Sequence, residues 1–129
     1  MRLLRNVVAI LATALLGAVI GLLGAFQHQS ELTVGDTRWP AGVLASIGAL
    51  LLAELVARET VPRGLGPALV LLSWTAVVVV LGSSRPEGDL AVPSGLTGES
   101  FLYGGFLAGL VLAGVLAVRG ASGATRTGR

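Results

Sequence analysis

The stretch Val7–Phe26, VVAILATALLGAVIGLLGAF, runs for twenty residues without a charged side chain. Arg2 and Arg5 stand before it, and Gln27-His28-Gln29-Ser30-Glu31 follows it. The hydrocarbon core of a bilayer needs about 20 apolar residues in a helix, so this segment is long enough to cross. Its basic flank fits a secretory leader, but leaders carry apolar cores of about 7–15 residues and a small-x-small cleavage site. The longer core without such a site predicts a signal anchor, retained as the first helix.

Composition extends that reading to the whole chain. Of 129 residues only 12% are charged and 53% are apolar, about half the charge of an ordinary soluble domain. The mean hydropathy is +0.84. A soluble fold of this size could not hide so much apolar surface, because small domains bury the smallest fraction of theirs. With no cysteine, disulfides, thiolate metal sites and cysteine nucleophiles are excluded, and the lone His28 argues against a multi-histidine metal centre. All nine basic residues are arginine, scattered through the connections between apolar runs, so no nucleic-acid patch is expected.

Three more apolar runs follow. Trp39-Pro40 opens the second, which ends before Arg58-Glu59-Thr60; proline suits a first helical turn and tryptophan the headgroup boundary. The third, with its Val77-Val78-Val79-Val80 run, would suggest a strand in water. In lipid an isolated strand leaves its backbone unsatisfied and a helix does not. The fourth ends at Arg119-Gly120. The spans are placed at about residues 6–26, 39–57, 65–82 and 101–118, with a polar loop at 27–38, a longer one at 83–99 and a flexible basic tail at 120–129. The predicted fold is therefore an all-α membrane protein, four antiparallel transmembrane helices in an up-down-up-down bundle, in one domain.

The arginines orient it. With the N-terminus inside, Arg2, Arg5, Arg58, Arg63, Arg119, Arg126 and Arg129 are cytoplasmic, and only Arg38 and Arg85 lie outside. That bias places both termini in the cytoplasm of a multi-pass plasma-membrane protein. Five of the seven acidic residues fall in the outer loops.

Helices in lipid associate by close backbone approach rather than by hydrophobic drive. Small residues recur four apart in three of the runs: Ala9, Thr13, Gly17, Gly21, Ala25; Ala41, Ala45, Ala49, Ala53, Ala57; and Gly105, Gly109, Ala113, Ala117. These rows are expected to be packing ridges. Trp74, in the middle of the third run, is expected to be a knob against one of them, with its indole N–H bonded to a hydroxyl or carbonyl. Phe101 and Tyr103 read as interfacial anchors of the fourth.

Glu54 is the one ionisable residue inside a predicted span, which makes it a functional candidate. It lies one turn before Arg58, so an i,i+4 ion pair that snorkels to the inner headgroups is expected. The competing reading is a proton- or ion-coupling carboxyl. Glu87 and Asp89, in Pro86-Glu87-Gly88-Asp89, read as a solvated turn; a cation or a partner's basic patch is the alternative. No nucleophile with a base, no metal spacing and no phosphate loop is present in the sequence, so neither an enzyme nor a cofactor is expected.

Small multidrug transporters also have four spans in a similar length. They place a glutamate deep in the first helix, where this chain has no carboxylate, so the likeness stops at length and span count. The segments Arg85-Pro86-Glu87-Gly88-Asp89-Leu90 and Phe101-Leu102-Tyr103-Gly104-Gly105 are similar to those of an uncharacterised actinobacterial family of small four-span integral membrane proteins, a domain of unknown function. The resemblance spans most of the chain and implies a four-span fold, with no activity or catalytic residue attached. The function expected is that of a structural or accessory subunit, partnered by lipid and by another membrane protein or further copies of itself. The alternative is a small proton- or ion-coupled transporter or channel, acting as an oligomer through Glu54.

Overall fold

The structure, a computed structural model, describes residues 1–61, 65–83 and 95–126, with side chains through residue 120. It is mostly helical: α1 (Arg2–Gln27), a hairpin of β1 (Leu32–Val34) and β2 (Thr37–Trp39), α2 (Ala41–Ala57) and α3 (Gly66–Gly82). Then α4 (Leu96–Glu99), a π-helical segment (Ser100–Gly104) and α5 (Gly105–Arg126) follow one another without a break.

Among the described residues, two helices are long and apolar enough to cross a membrane, Arg2–Gln27 and Leu96–Gly120. Only 22% and 17% of their apolar windows are buried, whereas the core helix of a soluble protein is mostly covered. Leu4, Leu11, Leu15, Leu23, Val111 and Val118 face outward. At 17 residues each, α2 and α3 sit at the lower limit for a span.

The polar loop at 27–38 is a turn followed by a hairpin. Leu32 pairs with Trp39, Thr33 with Arg38 and Val34 with Thr37, leaving Gly35-Asp36 as the two-residue turn. Gly35 has φ +61°, the left-handed region that such turns demand. The described part of the expected basic tail is helical, since α5 continues to Arg126. Ala121 to Arg126 contains no proline, so nothing in it stops a helix already propagating from Gly105.

The register of the contacts gives the directions of the helices. A Cβ on Gly17 would strike the Val70 carbonyl and the Ser73 hydroxyl, and one on Gly21 would lie 3.0 Å from the Trp74 carbonyl, so α1 and α3 run the same way. Gly105 faces Trp74 and Gly109 faces Leu71, so α5 runs against α3. Gly104 meets Ile47 and Gly109 meets Leu50 and Glu54, so α5 runs with α2. The core gathers Leu50, Val70, Leu71, Trp74, Val78 and Phe101. At one end the Thr60 hydroxyl donates to the Ala57 carbonyl and lies 3.2 Å from the Thr13 hydroxyl. Residues 2–12 of α1 therefore extend beyond the end of α2.

Of the three ridges, the first is buried from Thr13 through Gly17 and Gly21 to Ala25. In the last helix Gly105 and Gly109 are buried, but Ala117 is exposed. The second requires correction: Ala53 and Ala57 are buried, whereas Ala45 and Ala49 are exposed. A row of residues four apart advances about 40° around the helix at each step, so five members cannot share one face. The buried stripe of α2 is Gly42, Val43, Ser46, Leu50, Ala53, Glu54 and Ala57, which alternates spacings of three and four.

Candidate functional site

Glu54 is the centre of the site. It lies on the row Gly42, Ser46, Leu50, Glu54, which α2 turns inward along its whole length. The side chain is 0% exposed, and neither carboxyl oxygen has a hydrogen-bond partner among the described residues. Its room comes from α5. A Cβ on Gly109 would lie 2.8 Å from Glu54 Oε1, 2.7 Å from Leu71 Cδ1 and 3.3 Å from Leu50 Cδ2. The carboxyl thus ends at the joint of α2, α3 and α5, against the one residue type that leaves space for it.

The expected pair with Arg58 is not formed. Arg58 is the C-cap of α2, and its Nε donates to Glu59 Oε1 at 2.8 Å, with both side chains more than half exposed. Glu54 is wholly buried whereas the Arg58 side chain is more than half exposed, and the exposed Glu59 takes the guanidinium. Nor does Glu54 reach the surface. Isolating an ionised carboxyl from water without a partner costs several kcal/mol. Ser46, two turns earlier, satisfies its own hydroxyl by donating to the Gly42 carbonyl at 2.7 Å.

Trp74 is the knob expected, at 0% exposure, lying between Gly21 of α1 and Gly105 of α5. Its indole N–H, however, has no acceptor among the described residues. Ser73 beside it donates to its own helix, to the Leu69 and Val70 carbonyls. Phe101 is not an interfacial anchor. It is fully buried and meets Trp74 edge-on at 5.4 Å between centroids, while Tyr103 is the exposed member of that pair.

Phe101 also stacks on His28 at 4.9 Å, and His28 is a residue the sequence reading passed over. The ring is 0% exposed, its Nδ1 lies 2.7 Å from the Ala25 carbonyl, and its Nε2 has no partner among the described residues. A signal existed. Gly17, Gly21, Gly24 and His28 continue the buried three-and-four spacing of α1 into what reads as a polar loop. Glu87 and Asp89 lie outside the described residues, and among those described no cluster of three metal-ligating side chains occurs.

The described residues thus form a helical protein with two helices able to cross a bilayer and, where three helices meet, a buried carboxyl that has no partner among them. Comparison with protein-family models, with curated proteins and with solved structures finds no match.

Proposed function

We propose that this is a multi-pass protein of the cell membrane, a four-span up-down-up-down bundle with both termini cytoplasmic, and that it carries protons through Glu54 as a small ion-coupled transporter or channel. One observation carries the reading: Glu54 is wholly buried in a predicted span, and neither of its carboxyl oxygens has a hydrogen-bond partner among the described residues. Polar groups are kept at such positions for function far more often than for stability. A second supports it, since Gly109 opposite supplies the space in which the carboxyl sits. The alternating helix directions and the excess of arginine at one end of the chain's turns support the topology. In this reading the conducting unit is an oligomer.

Liposomes loaded with a pH dye, under a valinomycin-set potassium potential, test this. The wild-type chain is expected to dissipate the proton gradient faster than empty vesicles, and Glu54→Gln to return the rate to theirs. Glu54→Leu is expected to do the same while raising stability in detergent by about 1–3 kcal/mol, because it removes buried polar oxygens that have no hydrogen-bond partner among the described residues. Equal rates in wild type and Glu54→Gln would dismiss proton coupling.

A second reading, an accessory subunit of a larger assembly, is favoured by the face of α2 where Ala45 and Ala49 are exposed and Gly48 has nothing within 4 Å of a Cβ position. Capture of a partner in mild detergent that Ala49→Leu abolishes, with no proton flux from the purified chain, would decide for it.

A further inference from the structure

The end of the molecule that holds the α2–α3 turn has a pocket of about 320 Å³, lined by Arg58, Glu59, Pro67, Leu116, Arg119 and Gly120. Three elements build it: the C-terminal end of α2, the first turn of α3 and the stretch of α5 where the apolar run stops. We propose that it holds the phosphodiester of an anionic phospholipid headgroup.

The chemistry of the lining selects that ligand. Two guanidinium groups reach one cavity from different helices, and arginine grips phosphate oxygens through paired parallel N–H bonds. Glu59 engages only the Nε of Arg58, at 2.8 Å. That contact occupies Nε and leaves the terminal N–H groups of Arg58 without a partner among the described residues. Among the described residues that line it, two arginines and one carboxylate leave a single net positive charge, which matches a singly charged phosphodiester better than a doubly charged monoester. Leu116 and Pro67 give the cavity an apolar wall, as a headgroup with acyl chains requires and a free phosphate does not. Arg119 closes the apolar run Phe106–Val118, so the pocket lies at headgroup depth. Basic pockets between membrane helices are established lipid-headgroup sites.

The inference rests on the membrane reading and is independent of Glu54. Carbonate-washed membranes separate the two: a chain that washes off overturns the membrane reading itself, and lipid selectivity is then measured only on protein that stays. Native mass spectrometry of the purified, delipidated protein with phosphatidylglycerol or phosphatidylcholine of equal chain length is the test. Phosphatidylglycerol is expected to be retained over phosphatidylcholine, and Arg58→Gln and Arg119→Gln each to weaken its retention about fivefold. The double variant should show no preference, with Arg5→Gln unchanged. Glu59→Gln should shift the preference toward doubly charged phosphatidate. Selectivity that survives in the double variant, an equal loss in Arg5→Gln, or displacement of the lipid by inorganic phosphate would each overturn the proposal. Unchanged circular dichroism in every variant shows that the fold is retained.

Discussion

Trp74→Ala is expected to lower the unfolding temperature in detergent by on the order of 10 °C, as followed by circular dichroism. The indole is fully enclosed by Gly21, Gly105 and Phe101, from three different stretches of the chain. Removing a buried aromatic costs about 3–5 kcal/mol in water-soluble cores. In lipid the transfer contribution is missing, because the tails are as apolar as the core, so the lower end of that range applies. What is lost is contact: Gly21 and Gly105 have no side chain with which to refill the space. Trp74→Phe separates shape from hydrogen bonding. The indole N–H has no acceptor among the described residues, so the phenyl ring should recover most of the loss. A cost for Phe as large as for Ala would mean that the N–H is bonded after all.

Gly17→Leu should prevent α1 from docking while leaving the chain in the membrane. The obstacle is main chain: a Cβ at Gly17 meets the Val70 carbonyl, and Val70 Cα at 2.9 Å, besides the Ser73 hydroxyl. A side chain can rotate away, but a helix backbone cannot, and overpacking that forces backbone shifts costs about 1–3 kcal/mol or more. Insertion is unaffected, because leucine only lengthens the apolar run. The expected result is an undiminished carbonate-resistant fraction with loss of the single size-exclusion peak and faster proteolysis. Gly48→Leu and Gly114→Leu serve as controls, since nothing lies within 4 Å of either Cβ position. They should stay within about 0.5 kcal/mol of wild type. If Gly17→Leu behaves as they do, the ridge is only composition.

The features of the sequence that survive in the structure are those with a steric cause. Gly17 and Gly21 were legible because close helix contact requires small residues at fixed spacing, and the same logic placed Trp74 opposite them. Ala45 and Ala49 were misread because a row of four-residue steps was treated as a straight line, although the helix rotates it off the contact face. Glu54 follows Ser46 and Leu50 on the buried side of α2, a placement masked by the more familiar pairing with Arg58. Gly35-Asp36, flanked by Leu32-Thr33-Val34 and Thr37-Arg38-Trp39, carried a hairpin signal within a segment read as loop. His28 could not be assigned to the core from its own chemistry. Its burial depends on Phe101, more than seventy positions away, arriving to cover it.

The unequal helix lengths have a consequence for the membrane itself. α1 is 26 residues long and α2 and α3 are 17 each, and the Thr13–Thr60 contact shows that α1 continues past the point where α2 ends. At about 1.5 Å per residue, α2 and α3 span some 26 Å, against a hydrocarbon thickness of about 30 Å. In the four-span reading the protein is thus a wedge of negative hydrophobic mismatch, which thins the leaflet beside the α2–α3 turn and leaves it thicker along α1. Its unfolding temperature in liposomes of graded acyl length should therefore peak in bilayers thinner than average. A steady rise toward thicker ones would show that α2 and α3 do not both cross.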